Sequence, residues 1–413
     1  MSHPPAGITR PPGKTTRPPG PEKVNLMDLS LPELETLFQG LGEKPYRAAQ
    51  VMEWIHQRGA VTFDEMTNLP KALRDRLAAV ADPGWPEEVT RQVSRRDGTT
   101  KFLFRLRDGE TVESVLMVHD YGASVCVSTQ VGCRMGCVFC ASTIGGMARN
   151  LTSGEILGQL LYINRKIRDN QSRGTGKGAP DETDFRAAGK ALAGEKALAS
   201  GKAPAGAKAL AGEKGRVSSV VTMGSGEPLE NYEQALKFVR SLNEKHGLNI
   251  GYRHVTVSTC GVIPGIRRLA AEGLPITLSV SLHAPNDALR SRIMPVNRKY
   301  PVAELVEACR DYAEATGRRV TFEYLMIAGL NDSVELAREL GRLIRGMLCH
   351  VNLIPANPVP ERGWKRSSPA RVSAFQKALE NLGIEATVRR EMGADIDAAC
   401  GQLRRRSLET KNP

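Results

Sequence analysis

An alternation of predicted strands and helices from residue 124 onward constrains the fold more than any other sequence feature. The predicted strands are 124–129, 217–223, 254–258, 276–282, 319–327 and 350–354. The predicted helices are 152–168, 231–245, 262–272, 301–316, 332–346 and 370–382. Repeated strand–helix–strand units favour an α/β fold with a parallel sheet and crossover helices, either open or curled into a partial barrel. Catalytic groups are then expected at the carboxyl ends of the strands.

The remaining segments differ in character and divide the chain into predicted regions. A repeated Arg-Pro-Pro-Gly sequence predicts a disordered tail, and a repeated KALAGEK sequence marks a low-complexity insertion. The predicted regions are a Pro-rich tail (1–24), a small helical accessory domain (25–95), a β-hairpin extension turning at Asp108-Gly109 (96–123), a catalytic domain (124–404) that contains the insertion (171–216), and a second tail (405–413).

Composition limits the class of protein and its surroundings. The 413 residues carry a formal net charge of +12, which favours an anionic partner such as nucleic acid or simply keeps the protein soluble. No run approaches the ~18 apolar residues of a membrane-spanning helix, and no signal-peptide core follows Met1. The sequence therefore predicts a cytoplasmic protein without a membrane partner, and a monomer is expected.

Three cysteines crowd into one short loop after the first predicted strand. Cys133, Cys137 and Cys140 have the spacing C-x3-C-x2-C. Soft thiolates select zinc or iron–sulfur clusters, and structural zinc usually takes four protein ligands. Three thiolates therefore favour a [4Fe–4S] cluster with one iron open to another ligand. A non-catalytic RNA-binding protein stabilised by zinc is the alternative from a different functional class.

This spacing, with the aromatic Phe139 directly before the third cysteine, resembles that of the radical S-adenosylmethionine (SAM) superfamily. Four further motifs are MGSGEPLEN (223–231), SLHAPND (281–287), IPANP (354–358) and GADIDAACGQL (393–403). Together they resemble the RlmN/Cfr family of RNA adenine methyltransferases, with the balance towards RlmN, over residues 28–404 without the insertion. The resemblance implies a partial (β/α)6 radical SAM barrel.

The resemblance also implies cofactors, partners and a set of site residues. The cofactors are a [4Fe–4S] cluster and SAM, and the partners are 23S rRNA, tRNA as a second candidate substrate, and an electron donor for the cluster. The implied residues are Cys133, Cys137 and Cys140 for the cluster; Gly226, Glu227, Ser258, Ser281, Leu282, His283 and Asn357 for SAM; and Glu113, Cys126 and Cys400 for catalysis.

The family's reaction gives the three catalytic residues distinct expected roles. Cys400 takes a methyl group from one SAM molecule, and a radical made from a second SAM removes hydrogen from that methyl group. The carbon then joins adenine C2, Glu113 accepts the ring proton, and Cys126 releases the product by forming a disulfide with Cys400. Methylation of C8 by the same residues, as in a Cfr-like enzyme, is the enzymatic alternative.

Overall fold

The computed structural model describes residues 23–119, 122–173, 216–356, 363–397 and 401–409. Most of the predicted tail at 1–24 and of the predicted insertion at 171–216 lies outside the described residues. Asn357 and Cys400 also lie outside them. Among the helices that are described, none is both long and apolar enough to cross a membrane.

Strands and helices alternate along most of the chain. The strands are β1 (Val24–Asn25), β2 (Ala81–Asp82), β3 (Glu87–Val93), β4 (Thr100–Arg105), β5 (Thr111–His119), β6 (Gly122–Cys126), β7 (Gln130–Gly132), β8 (Met147–Asn150), β9 (Val217–Val221), β10 (Val255–Thr259), β11 (Thr277–Ser281), β12 (Val320–Met326), β13 (Cys349–Pro355) and β14 (Ala386–Val388). The α-helices are α1 (Leu31–Gly40), α2 (Tyr46–Met52), α3 (Lys71–Val80), α4 (Ser153–Arg173), α5 (Tyr232–Leu242), α6 (Ile263–Ala271), α7 (Asp287–Ile293), α8 (Val302–Thr316), α9 (Val334–Leu343), α10 (Pro369–Glu380) and α11 (Gln402–Glu409).

One ten-stranded sheet organises the part of the chain that the structure describes, in the order β14-β13-β12-β11-β10-β9-β6-β5-β4-β3. Strands β6 and β9–β14 pair in parallel, whereas β3–β6 pair antiparallel. All six predicted strands and all six predicted helices of the repeating region are confirmed, with end shifts of a few residues. The parallel part is the predicted α/β architecture.

The predicted hairpin extension is also confirmed, and it is continuous with the parallel sheet. Strands β4 and β5 pair antiparallel on either side of Asp108-Gly109, and Gly109 has a φ of +86°, which a tight turn requires. Strand β3, which adds a third antiparallel strand, lies in the segment that the sequence predicts as helical. The domain boundaries themselves stay a prediction.

The register of the sheet places the polar side chains of six strands on one face. Partners across a ladder point to the same side, and residues two apart on a strand share that side. The pairs Lys101↔Val115↔Cys126↔Val221↔Thr256 connect β4 to β10, and Ser258↔Ser279 and Ser281↔Glu323↔Asn352 carry the same face to β13. The other face is apolar: Val125, Val220, Val255, Leu278 and Val280 are buried in the main hydrophobic core.

The N-terminal helices are anchored on the sheet's helical layer by polar contacts. Asp28 Oδ1 accepts a hydrogen bond from the first-turn Gly154 N–H of α4 (2.6 Å), and Lys237 of α5 pairs with Glu33 of α1 (2.6 Å). A capping box at Ser30 and Glu33 starts α1. Glu53 accepts from His246 Nδ1 (2.9 Å), so the helical part contacts the connections of the repeating region at several points.

Candidate active site

The loop that carries Cys133, Cys137 and Cys140 leaves the short β7–β8 hairpin. The Cys133 N–H donates to the Gly146 carbonyl (3.0 Å), and the Thr143 hydroxyl donates to the carbonyls of Cys137 (3.1 Å) and Cys140 (2.9 Å). A Cβ added to Gly132, whose φ is +77°, would lie 2.0 Å from the Gly146 oxygen. Only glycine therefore fits at the start of the loop. The three thiols lie close enough to one another to interact electrostatically.

Burial and mutual proximity keep protons on the Cys133 and Cys137 thiols when no cation neutralises them. Burial, followed by the nearby Cys140 sulfur, raises the pKa of Cys133 to about 12. Burial and its two neighbouring cysteines also raise the pKa of Cys137 well above its ordinary value. Three thiols that repel one another as thiolates fit a multi-iron cluster, whose cationic irons each take one sulfur. No three potential ligand side chains in the described ranges converge on a single ion.

His283 connects the cysteine loop to the carboxyl end of β11. The rings of Phe139 and His283 meet edge to face, with centroids 4.8 Å apart. The His283 Nδ1 accepts from the Leu325 N–H (3.0 Å), and Asn331 Nδ2 donates to the His283 carbonyl (2.9 Å). Burial, aided by the charge of Arg290, lowers the pKa of His283 to about 3, so the imidazole is neutral. These contacts hold its unusual φ of +59°.

Gly226 and Glu227 lie in the turn after β9. Gly226 has a φ of +110°, and a Cβ there would lie 2.6 Å from the Gln130 side chain. The Glu227 carboxylate accepts from the Cys260 N–H (2.7 Å) and the Leu229 N–H (3.0 Å), and burial raises its pKa. The described partners of this carboxylate, which are backbone amides and the side chains of Thr259 and Cys260, tie two strand ends together, and its role at SAM stays a prediction.

A buried arginine that the sequence reasoning missed joins the ends of β10 and β11. Arg290 is fully buried on α7, and its guanidinium donates to the carbonyls of Cys260 (2.6 Å), Leu282 (3.0 Å) and Ser281 (3.1 Å). Ser258 and Ser281 are half-buried on the polar face of the sheet, and Leu282 is buried. The predicted SAM residues other than Asn357 therefore meet at the ends of β9, β10 and β11.

Cys126 ends β6 on the same polar face. Burial raises its pKa to about 11, and the positive charges of Arg389 and Lys101 oppose that rise. Arg389 follows β14 at the far edge of the sheet, so its interaction with β6 indicates that the parallel strands curl into a partial barrel. The thiol is protonated at neutral pH in this state.

Glu113 lies on β5, on the face that also carries Cys126, and its carboxylate accepts three hydrogen bonds. Its Oε2 accepts from Lys101 Nζ (2.9 Å) and the Gly401 N–H (2.7 Å), and its Oε1 accepts from the Arg404 N–H (2.5 Å). Lys101 is fully buried and also donates to the Asp397 carbonyl (2.5 Å). Glu113 and Lys101 therefore hold the chain on both sides of the undescribed Cys400.

The segment before Cys400 binds the β3–β4 hairpin through side chains. Asp395 accepts from the Ser94 hydroxyl (2.5 Å) and the Arg95 N–H (2.8 Å), and Asp397 exchanges two hydrogen bonds of 3.0 Å with the Gln92 amide. Hydrogen bonding to Ser94 and Arg95 outweighs partial burial and lowers the pKa of Asp395. The antiparallel extension thus serves as the platform for this segment.

A cavity of about 110 Å³ lies where these parts meet. Its walls come from β5, the turn after β9, the cysteine loop and the N-terminal end of α11. The lining residues are Glu113, Ala141, Ser142, Ile144, Gly145, Ser225, Gly401, Arg404 and Arg405. The structure therefore gathers motifs that lie almost 300 residues apart in the chain around one small chamber.

Two family models match this chain. Residues 24–82 match the ribosomal RNA large subunit methyltransferase N-terminal domain, and residues 202–340 match the radical SAM superfamily. The first match covers the N-terminal helices, and the second covers β9–β12 and the turns that carry the predicted SAM residues.

The chain is also similar to whole proteins along nearly its full length. A probable dual-specificity RNA methyltransferase RlmN of Pelotomaculum thermopropionicum is 53% identical over 93% of this chain and 92% of that protein. A protein of the same description from Symbiobacterium thermophilum is 51% identical over 92% and 91%. The crystal structure of a radical SAM methyltransferase from Sphaerobacter thermophilus superimposes with a TM-score of 0.78 at 43% identity, covering 92% of this chain and 98% of that one. With this identity, coverage and fold, the chain belongs to the RlmN family of the radical SAM superfamily.

Proposed function

We propose that this protein methylates carbon C2 of an adenine in RNA. The adenine in the peptidyl-transferase centre of 23S rRNA is the first substrate, and the adenine 3′ of the tRNA anticodon is the second. The observation that carries the proposal is the convergence of Glu113 and the backbone beside Cys400 at one chamber next to the cysteine loop, with Cys126 on the same face of the sheet as Glu113. Methylation through a protein-bound carbon needs a base and two thiols in such an arrangement.

Radical SAM enzymes use SAM and an iron–sulfur cluster, and the residues of this chain fit both. Cys133, Cys137 and Cys140 would hold a [4Fe–4S] cluster. Gly226, Glu227, Ser258, Ser281, Leu282, His283 and Asn357 would line the SAM site. When bound, these cofactors supply the methyl group and the radical that activates it. Arg290 and Phe139 would position the strand ends and the cysteine loop against each other.

The protein's own residues then carry the methyl group and the proton. The Cys400 thiolate would attack the methyl carbon of SAM and become a thioether, with S-adenosylhomocysteine as the leaving group. One hydrogen atom would then be removed from that methyl group, the remaining carbon would bond to adenine C2, and one electron would pass from the adduct to the iron–sulfur cluster. Glu113 accepts the proton that C2 loses. Cys126, as the thiolate, attacks the Cys400 sulfur; the sulfur–carbon bond breaks, and its electron pair goes to the methylene carbon, which takes up a proton and becomes the methyl group. A disulfide between Cys126 and Cys400 remains, and an external reductant must reopen it.

The described geometry shows what each proposed role requires of Glu113, of Cys126 and of the target base. Glu113 accepts two hydrogen bonds at Oε2 and one at Oε1, so Oε1 keeps one acceptor site for the proton. Cys126 must lose its proton, and the charges of Lys101 and Arg389 favour its thiolate. The target base must leave its stack to reach the chamber.

The remaining proposals concern RNA binding, cellular location, oligomeric state and the electron donor. A net charge of +12 would hold RNA phosphates without sequence preference. We propose a cytoplasmic location, because ribosomal RNA and tRNA are found there. We also propose that the protein is a monomer and that a separate protein or small molecule donates electrons to the cluster. The alternative of a non-catalytic zinc-stabilised protein is given up, because the relatives along the full chain are methyltransferases.

The test is analysis of the nucleosides that the reconstituted protein makes. Protein loaded with iron and sulfide is incubated with SAM, a reductant and either a 23S rRNA fragment or tRNA under anaerobic conditions. The RNA is then digested and analysed by mass spectrometry. We expect 2-methyladenosine. Formation of 8-methyladenosine would replace the C2 assignment by the Cfr-like alternative, and formation of neither would refute the proposal.

A second arm of the same experiment tests the role of Cys126. The Cys126→Ala protein is expected to form the bond to RNA but not to release it, so a nuclease-sensitive mass shift of the protein should accumulate. Cys309→Ala is the matched control, because Cys309 is another fully buried lone cysteine. Repeated turnover by Cys126→Ala without trapped RNA would exclude Cys126 as the resolving thiol.

A further inference from the structure

Among the residues that line the chamber beside Glu113, Ser142 and Arg404 each have a buried polar atom without a hydrogen-bond partner. These atoms are the hydroxyl oxygen of Ser142 and the Nε of Arg404. Ser142 is 7% exposed, and both residues line the same chamber of about 110 Å³. A buried polar atom without a partner is unfavourable, so a ligand in the chamber that accepts hydrogen bonds from both atoms would be stabilised.

The backbone fixes both groups in the chamber wall. Ser142 is in the turn after the third cysteine, and a Cβ on Gly401 would lie 2.5 Å from the Ser142 nitrogen. The Arg404 N–H bonds Glu113, and its Nη2 contacts Glu110 (3.3 Å). The two side chains are therefore held close to the carboxylate that we assign to proton transfer, with little freedom to find other partners.

The charges of the chamber select the ligand class. The guanidinium Nε of Arg404 only donates, and the Ser142 hydroxyl can donate, so the ligand must present acceptor atoms. The carboxylates of Glu113 and Glu110 lie beside Arg404 and offset its charge, so the chamber, whose wall also carries Arg405, admits a neutral ligand with acceptor atoms. A neutral ring with two unprotonated nitrogens meets both conditions, and a volume of a few water molecules admits the edge of one ring.

We infer that Ser142 and Arg404 recognise the target adenine by donating hydrogen bonds to its ring nitrogens N1 and N3. These nitrogens flank C2, the carbon whose proton Glu113 is proposed to accept. The inference rests on the proposed function and deepens it. Carbon C8 lies between N7 and N9, and N9 carries the ribose and accepts no hydrogen bond. A pair of donors in this wall therefore selects the C2 edge of adenine over the C8 edge.

The experiment combines protein variants with single-atom changes in the base. The substrates are synthetic RNA fragments with adenosine, 1-deazaadenosine or 3-deazaadenosine at the target position, each of which replaces one ring nitrogen by CH. The variants are Ser142→Ala and Arg404→Lys, which keeps the charge but lacks Nε. Ser153→Ala is the control, because the Ser153 hydroxyl is also buried and unpartnered but lies outside this chamber.

Single-turnover rates of methylation give the readout, and the wild type on unmodified RNA provides the reference. Each variant is expected to react about tenfold more slowly with adenosine, as for loss of one hydrogen bond of about 1.4 kcal/mol. Each should show little further loss with one of the two deaza bases, because that base already lacks the partner nitrogen. Ser153→Ala should match the wild type on every substrate.

Other outcomes separate this inference from the proposed function. If each variant and each deaza base slow the reaction by independent, multiplying factors, Ser142 and Arg404 do not contact N1 or N3. A raised KM for SAM in RNA-free SAM cleavage, with undiminished sensitivity to both deaza bases, would instead make the pair a SAM contact and overturn the inference. Absence of methylated product from the wild type on unmodified RNA would refute the proposed function itself.

Discussion

At the scale of single residues, Lys101 and Glu113 form a buried ion pair. Their charged atoms are 2.9 Å apart, and Lys101 has no exposed surface. Burial of such a pair contributes little net stability, whereas removal of one partner leaves an uncompensated charge. The sequence predicts a β-hairpin here, but nothing in the residue pattern shows that Lys101 points inward.

Replacement of Lys101 by methionine is expected to destabilise the protein by about 3–5 kcal/mol, because the Glu113 carboxylate stays buried without its cation. Methylation should also be lost, since the chain at Asp397 loses its anchor. Urea unfolding of the protein without cofactors measures the stability. The double variant Lys101→Met/Glu113→Gln should recover most of the stability and none of the activity. Equal instability of both variants would show that packing of the lysine stem, rather than charge, dominates.

The sequence predicts contacts between residues of one loop, but it does not predict contacts between residues that are distant in the chain. The spacing of Cys133, Cys137 and Cys140 predicted their proximity, because residues within one loop cannot separate far. The partners of Glu227 and the burial of Arg290 could not be predicted, because both depend on strand ends that are distant in the chain. An arginine in a short polar helix carries no sequence signal of being fully buried.

At the scale of elements, the β7–β8 hairpin sets the start of the cysteine loop. Gly132 and Gly146 both have positive φ, +77° and +66°, but only Gly132 faces another backbone atom. A side chain at Gly132 must push the Gly146 carbonyl away, whereas Gly146 has nothing within 4 Å of an added Cβ. The two glycines therefore separate the effect of backbone strain from the effect of a collision.

Gly132→Ala is expected to lose several-fold in iron bound after reconstitution, because the Cys133 N–H bond to Gly146 cannot form in the displaced hairpin. Gly146→Ala should bear only the strain of a left-handed conformation, about 1–3 kcal/mol, and keep its iron. Iron and sulfide analysis, with visible absorption, measures the difference. Similar iron contents in both variants would show that the hairpin does not position the first cysteine.

Elements with strong periodicity were predicted, and elements without it were missed. The six predicted parallel strands alternate apolar and polar residues between turn residues, so their existence followed from sequence. Strand β3 was missed because none of its residues is fully buried, which leaves no apolar alternation. Helix α7 has seven residues and β14 three, which are too few for a period to emerge.

At the scale of the whole molecule, His56 lies between the N-terminal helices and the repeating region. It is 3% exposed, and its Nδ1 lies 3.0 Å from where a Cβ on Gly247 would be. Burial lowers its pKa from 6.5 to about 4, and Nδ1 has no hydrogen-bond partner. The folded protein therefore holds this ring neutral at a pH where an unfolded chain would protonate it.

The stability of the protein should fall as the pH drops from about 6.5 to about 4. Between these values the unfolded state binds a proton at His56 that the folded state does not, which disfavours folding by up to about 3 kcal/mol. His56→Leu should reduce that slope, and His254→Gln, at an exposed histidine, should leave it unchanged. Unfolding free energies from urea titrations at several pH values test this, and an unaltered slope in His56→Leu would contradict the assignment.

The anchoring of residues 393–397 and 401–404 on β3, β4 and β5 sets the time at which the protein becomes competent during its synthesis. Hydrogen bonds from Gln92 to Asp397 and from the Arg404 N–H to Glu113 join residues about 300 positions apart. Contacts of such sequence separation close late, because the chain between them must first be ordered. A nascent chain can fold its helices and parallel strands on the ribosome, but its catalytic chamber closes only after residue 404 has left the exit tunnel. A protein proposed to modify ribosomal RNA would thus stay inactive on any ribosome from which its own residue 404 has not yet emerged.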